Sequence, residues 1–168
     1  MNTMTIEKNE ICFKIEQLSQ ILTNKGWYVS CAESCTGGWV AKLFTDLVGS
    51  SKWFDRGFVT YSNRAKQEML SVSEKTLEKF GAVSEAVVQE MALGACRESG
   101  AQVSLAISGI AGPGGGSEDK PVGLVWFAWC INGQVESLSE IFDGDRDKVR
   151  QQAVVVAIEK LLHFLQSA

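Results

Sequence analysis

Lys66 stands in the first turn after the Ser62-Asn63 pair, and Tyr61 closes the strand-like run just before it. A lysine at a helix start is an unusual place for an ammonium. The helix dipole disfavours the positive charge there, Arg64 adds a like charge, and burial would push the pKa down further. Service as a general base near pH 7 needs a fall of roughly 3 units from ~10.4. A solvated surface lysine is the ordinary alternative. Hydroxyls that such a base could serve are Ser51, in the loop after Gly49, and Ser34 and Thr36, in the stretch Cys31-Ala32-Glu33-Ser34-Cys35-Thr36-Gly37-Gly38-Trp39. The latter pair also suits plain helix capping.

Two glycine-bearing turns could hold an anion. In the first, a strand-like run ends and a helix-like run begins, with Thr36 as cap and with Gly37 and Gly38 leaving first-turn amides open to a close-approaching group. The second, Ser108-Gly109-Ile110-Ala111-Gly112-Pro113-Gly114-Gly115-Gly116-Ser117, follows a strand and offers many unblocked amides. It lacks the lysine and hydroxyl of a P-loop. Arg146, just after Asp143-Gly144-Asp145, could grip a phosphate bidentately or lie on the surface in a salt bridge.

Several other chemistries are disfavoured. His163 is the single histidine and sits five residues from the end of the chain, away from every glycine-rich turn, so Ser-His-Asp and Cys-His schemes lack an imidazole. The 5 cysteines, Cys12, Cys31, Cys35, Cys96 and Cys130, form no C-x-x-C pair and read as reduced thiols. Cys31 and Cys35 have no partners for a zinc site, so no metal is expected. A net charge of -4 argues against a nucleic-acid surface. Neither a leader pattern nor a membrane-length apolar run is visible, which gives an expectation of a cytoplasmic protein.

These residues need a scaffold, and 168 residues suffice for one domain over 1–168. Ile11, Ile15, Leu18 and Leu22 recur at helical spacing, predicting an amphipathic helix over about 6–25 that Gly26 stops. A strand over 27–31, a helix over 36–48, a loop at 50–53 and a strand over 54–62 follow. Short helices at 64–70 and 73–80 precede a longer one capped by Ser84. A strand at 102–107, the glycine-rich loop and a strand at 121–130 come next. Asn132-Gly133 then marks a hairpin into 134–142, and Asp143-Gly144-Asp145 opens the last helix. Trp126, Phe127 and Trp129 suit core and sheet face better than a stacking platform. Interleaved early and ending in a hairpin, these elements predict a three-layer α/β/α sandwich with a mixed, mainly parallel sheet of about five strands.

Six blocks occur in one order: Ala32-Glu33-Ser34-Cys35-Thr36-Gly37-Gly38, Gly57-Phe58-Val59-Thr60-Tyr61-Ser62-Asn63 with Lys66, Gly81-Ala82-Val83-Ser84, Ser108-Gly109-Ile110-Ala111-Gly112-Pro113, Lys120-Pro121-Val122-Gly123 and Gly144-Asp145-Arg146. Together they closely resemble the CinA carboxy-terminal domain family, in particular its stand-alone nicotinamide-nucleotide amidases, over about residues 8 to 165. The resemblance implies hydrolysis of the carboxamide of nicotinamide mononucleotide to nicotinate mononucleotide and ammonia, without metal or cofactor. It carries a serine nucleophile, a lysine base and an assisting tyrosine onto Ser51, Lys66 and Tyr61, with Ser34 as the alternate serine. Thr36, Gly37, Gly38, Ser108, Gly109 and Gly112 would then hold substrate or oxyanion, and Arg146 the phosphate. A small-molecule mononucleotide is the expected partner, with no nucleic acid and no membrane, and the apolar flanks predict a homo-oligomer, a dimer or higher. The alternative from another class is a non-catalytic mononucleotide-binding or partner module of the competence or damage-inducible type.

Overall fold

The computed structural model describes residues 3–168. Its element order is α1 (Thr3–Lys25), β1 (Val29–Glu33), α2 (Trp39–Asp46), a 3-10 turn (Ser50–Lys52), β2 (Phe54–Val59), α3 (Asn63–Leu70), α4 (Glu74–Phe80), α5 (Glu85–Ser99), β3 (Val103–Gly109), β4 (Leu124–Ile131), β5 (Gln134–Ile141) and α6 (Arg146–Gln166). The five strands form one sheet in the order β2-β1-β3-β4-β5. β1 pairs in parallel with both β2 and β3, and β4 and β5 extend the sheet antiparallel through the Asn132-Gly133 hairpin. The mixed sheet expected from the sequence thus has its parallel part in the three strands that hold most of the chain's polar motifs.

Alternation along the strands builds two cores. Val29 and Cys31 of β1, Leu105 and Ile107 of β3 and Phe127 and Trp129 of β4 face α1, α2 and α6. Ala32, Ala106 and Ala128, one per strand, face α3, α4 and α5. The first core is filled by large side chains, each worth about 1.5–3 kcal/mol when buried. The second is floored by alanines, which bury little area but let α5 lie close to the sheet. His163 is exposed on α6, while Phe127 and Trp129 are buried, as their sequence context suggested.

Capping follows the sequence in three places. Ser62 accepts from the amide of Ala65, Ser84 from that of Val87 and Asp145 from that of Lys148. It departs at α2, which begins at Trp39 rather than Thr36. Gly37 and Gly38 hold φ values of 60° and 99°, which cannot belong to a right-handed helix and favour glycine. Pro121 and Gly123 likewise delay β4 to Leu124 by forming a turn.

Candidate active site

The carboxyl ends of the parallel strands converge at one place. From β1 the chain leaves toward β2, and from β3 it leaves toward β4, so the strand order reverses between β1 and β3. Open α/β sheets bind ligands in the crevice outside such a reversal. A cavity of about 250 Å³ opens there, lined by residues that include Ser34, Cys35, Tyr61, Lys66, Ser108 and Arg146.

The strand register explains why a lysine and a serine 32 positions apart meet there. Glu33 pairs with Val59 on one side and Ile107 on the other. One residue on, with Thr60 N–H donating to the Glu33 carbonyl at 2.8 Å and Ser34 N–H to the Ile107 carbonyl at 3.0 Å, Ser34 stands between Thr60 and Ser108. All three follow residues of the alanine-floored face, so a row of hydroxyls crosses the end of the sheet on that side. Ser62 then caps α3, whose fourth residue, Lys66, hangs over the row. Lys66 is 1% exposed, and its Nζ lies 2.9 Å from Ser34 Oγ and 2.6 Å from the Thr60 carbonyl oxygen.

Burial lowers the Lys66 pKa from 10.5 to about 8, against a smaller opposing influence from Cys35. Arg64, expected to help as a nearby like charge, turns to solvent and pairs with Glu68, so the lowering comes from burial. At pH 7 roughly a tenth of the amine is neutral, and the fraction grows tenfold per pH unit until about 8. Cys35 lines the same cavity, but burial pushes its thiol up to about 11, so it carries a proton at neutral pH. Thr60 Oγ1, fully buried, has no hydrogen-bond partner, a state that costs on the order of 1–3 kcal/mol for a hydroxyl.

The remaining sequence candidates divide sharply. Ser51 is not brought to Lys66. It is exposed in the 3-10 turn before the first residue of β2, while Thr60 and Lys66 follow its last, and six residues of strand at about 3.3 Å each lie between. Ser34 takes the place next to the amine. Tyr61 lies at the cavity mouth, 63% exposed, and its hydroxyl meets Arg146 Nη2 at 3.2 Å rather than Lys66. Arg146 also donates through Nη1 to the Gly112 carbonyl at 2.9 Å, which ties α6 to the glycine-rich loop. Ser108 and Gly109 line the cavity, with the Ser108 hydroxyl donating to the Ala82 carbonyl.

Thr36, Gly37 and Gly38 are not the open anion cradle expected of them. The buried Glu33 side chain already fills the amino end of α2. Its Oε1 accepts from Thr36 Oγ1 at 2.7 Å and Val40 N–H at 2.9 Å, and its Oε2 accepts from Ala41 N–H at 3.1 Å. Gly37 N–H goes to the Ser34 carbonyl. Glu33 was missed by sequence reasoning, although a carboxylate ending an apolar strand just before a helix is the natural acceptor for that helix's first amides. Arg150 was missed as well. From α6 it donates to the carbonyls of Cys35 and Thr36 at 2.9 and 3.2 Å and lies over the Trp39 ring. The turn after Ser34 is therefore held from both ends by charge-assisted hydrogen bonds, the stronger kind.

Among the described residues no group of three or more His, Cys, Asp or Glu is placed to hold a metal ion, and no helix is long and apolar enough to cross a membrane. The CinA C-terminal domain matches residues 13–165. The chain is 57% identical over 147 residues to the nicotinamide-nucleotide amidohydrolase PncC of Enterobacter agglomerans, covering 87% of this chain and 90% of that one. It is 56% identical over 154 residues to the protein of the same name from Escherichia coli K12, covering 90% and 93%. A crystal structure of a competence-damaged protein (CinA) superfamily member from Klebsiella pneumoniae 700603 superposes with a TM-score of 0.90 at 40% identity, covering 94% of this chain and 99% of that one. With a family model matched over residues 13–165 and relatives above half identity across most of its length, the chain belongs to the CinA carboxy-terminal domain family.

Proposed function

We propose that the chain is an amidohydrolase that converts nicotinamide mononucleotide to nicotinate mononucleotide and ammonia, with Ser34 as nucleophile and Lys66 as general base. The observation that carries this reading is the buried Lys66 amine 2.9 Å from Ser34 Oγ in a cavity with Arg146 on its wall. The names of relatives above half identity supply the substrate class.

In this reaction neutral Lys66 takes the Ser34 proton as the oxygen attacks the carboxamide carbon. The Thr60 carbonyl holds one N–H of the amine, so that its lone pair faces the serine. Lys66 then returns the proton to the departing nitrogen as the C–N bond breaks, leaving an acyl ester on Ser34 and free ammonia. Water, deprotonated by the same amine, hydrolyses the ester. The N–H groups of Cys35 and Gly109, which border the cavity and face the Cys35 sulfur, would serve as donors to the developing oxyanion. Arg146 would meet the phosphate, exchanging its bond to the Gly112 carbonyl for a charged one, and Tyr61 would steady that arginine rather than relay a proton.

Ammonia release from nicotinamide mononucleotide tests the proposal. Ser34→Ala and Lys66→Ala should each lower kcat by at least about a thousandfold, in the range seen when a nucleophile or its base is removed. Ser51→Ala should behave as wild type. The pH profile of kcat/KM should rise with unit slope and level above about 8. Binding without ammonia release would favour a non-catalytic mononucleotide-binding module.

A further inference from the structure

Thr60 Oγ1 is, among the described residues, the buried side-chain nitrogen or oxygen left without a hydrogen-bond partner. Its neighbours in the hydroxyl row are engaged, Ser34 Oγ with Lys66 and Ser108 Oγ with the Ala82 carbonyl. Buried hydroxyls are almost always bonded, so an exception calls for a use.

Its place suggests one. The Thr60 main chain is fixed at both polar atoms, the N–H on the Glu33 carbonyl and the carbonyl on Lys66 Nζ. The side chain lies two residues beyond Phe58, on the face where Phe58, Leu70 and α3 pack. The hydroxyl belongs to the same residue as the carbonyl 2.6 Å from Nζ, which places it beside the lysine head. A neutral amine has two N–H groups and a lone pair, which the Thr60 carbonyl and the Ser34 hydroxyl can answer. An ammonium has three N–H groups and no lone pair. Lys66 is 1% exposed, and while substrate fills the cavity during acylation little solvent is at hand to supply the acceptor that protonation newly requires. The titratable side chains on the cavity wall with it are Cys35, a thiol that stays protonated, Tyr61 and Arg146, and none of them is a carboxylate.

We propose that Thr60 is a positioning residue for amide hydrolysis, its side-chain hydroxyl turning about Cα–Cβ to accept from Lys66 whenever that lysine holds the proton taken from Ser34. The inference rests on the assignment of Lys66 as base, and it explains why a cost in stability is carried beside the reacting pair.

Thr60→Val removes the hydroxyl and nearly keeps the shape, and Thr60→Ser restores it. In the valine variant kcat should fall about tenfold, the loss expected for a hydrogen bond to a charged group, with KM within about twofold of wild type. The Lys66 pKa, followed by NMR of labelled lysine and by the acid limb of kcat/KM, should fall by about one unit because the ammonium has lost an acceptor. The urea midpoint should stay level or rise. Thr60→Ser should return kcat and pKa toward wild type. A slower enzyme with a lower pKa and undiminished stability is a combination that lost packing does not produce. Wild-type kcat with an unmoved Lys66 pKa in the valine variant would overturn the proposal, as would equal slowing in the serine and valine variants. If the wild type released no ammonia, the base assignment would fail by itself. The NMR titration would then still decide whether the hydroxyl supports the lysine charge.

Discussion

As the proposed base, Lys66 would face two tasks that pull against each other, since the burial that makes its amine usable as a base also makes its charged form costly to fold around. Its pKa is lowered in the folded chain to about 8 from 10.5, with burial as the leading cause. Between these values the unfolded chain binds more protons than the folded one, so stability rises with pH across that window and the cost is fully present below it. Lys66→Met has no proton to bind in either state. The stability of wild type relative to Lys66→Met should therefore climb as pH goes from about 8 to about 10.5, with a slope of up to about 1.4 kcal/mol per unit, and stay flat from pH 6 to 7. Urea unfolding of both proteins across that range measures it, and parallel curves throughout would mean that the amine is not desolvated. The placement of Lys66 was legible in the sequence, because a cap and a strand end stand just before it. Which serine lies next to its amine was not. Ser34 and Ser51 are both hydroxyls at element boundaries, and only the strand register puts one beneath the amine and the other at the far end of β2.

The turn between β1 and α2 shows how one element boundary can be read correctly and assigned wrongly. Its glycines do mark a strand-to-helix switch, and helix starts of that kind do attract anions. Here the anion is the protein's own Glu33, whose carboxylate was invisible as a cap because it acts on amides seven and eight residues ahead, past a turn whose shape depends on two left-handed glycines. With that end filled, the proposed phosphate contact falls to Arg146, which the Asp145 cap sets at the first position of α6. Glu33→Ala should leave the Thr36 hydroxyl and two amides of α2 without acceptors in a buried setting. A loss of about 2–4 kcal/mol is expected, more than a surface cap is worth, because the acceptor is charged and 1% exposed. Chemical denaturation reads the loss, and the variant should also be slowed because Ser34 begins the same turn. A change below about 1 kcal/mol would show that the turn keeps its shape without the carboxylate.

At the scale of the whole molecule, the two cores differ in what the sequence disclosed about them. The core under α1 and α6 announces itself through Ile11, Ile15, Leu18 and Leu22 at helical spacing, and those residues are buried where expected. The core under α5 depends on close approach, written in small residues that look like ordinary helix and strand content. Ala32, Ala106 and Ala128 floor it, and Gly94 in the middle of α5 faces the end of α3. In an open helix Gly→Ala stabilises by about 1 kcal/mol. At Gly94 a Cβ would lie 2.2 Å from the Leu70 carbonyl oxygen, which is backbone and cannot swing aside. Gly94→Ala should reverse the usual sign and destabilise by about 1–3 kcal/mol. The same change bears on catalysis, because Leu70 ends α3 and Lys66 lies one turn earlier on that helix. Pushing α3 away from α5 draws Nζ off Ser34 Oγ, so ammonia release should fall by more than the unfolded fraction accounts for, with the defect in kcat and not in KM. Gly100→Ala, at the open end of the same helix with nothing near its Cβ, carries only the strain of its φ of 72° and should leave kcat unchanged. If both variants lowered stability alone, the packing of α5 would be separable from the placement of the lysine, and the amine would owe its position to the Ser62 cap and the Thr60 carbonyl.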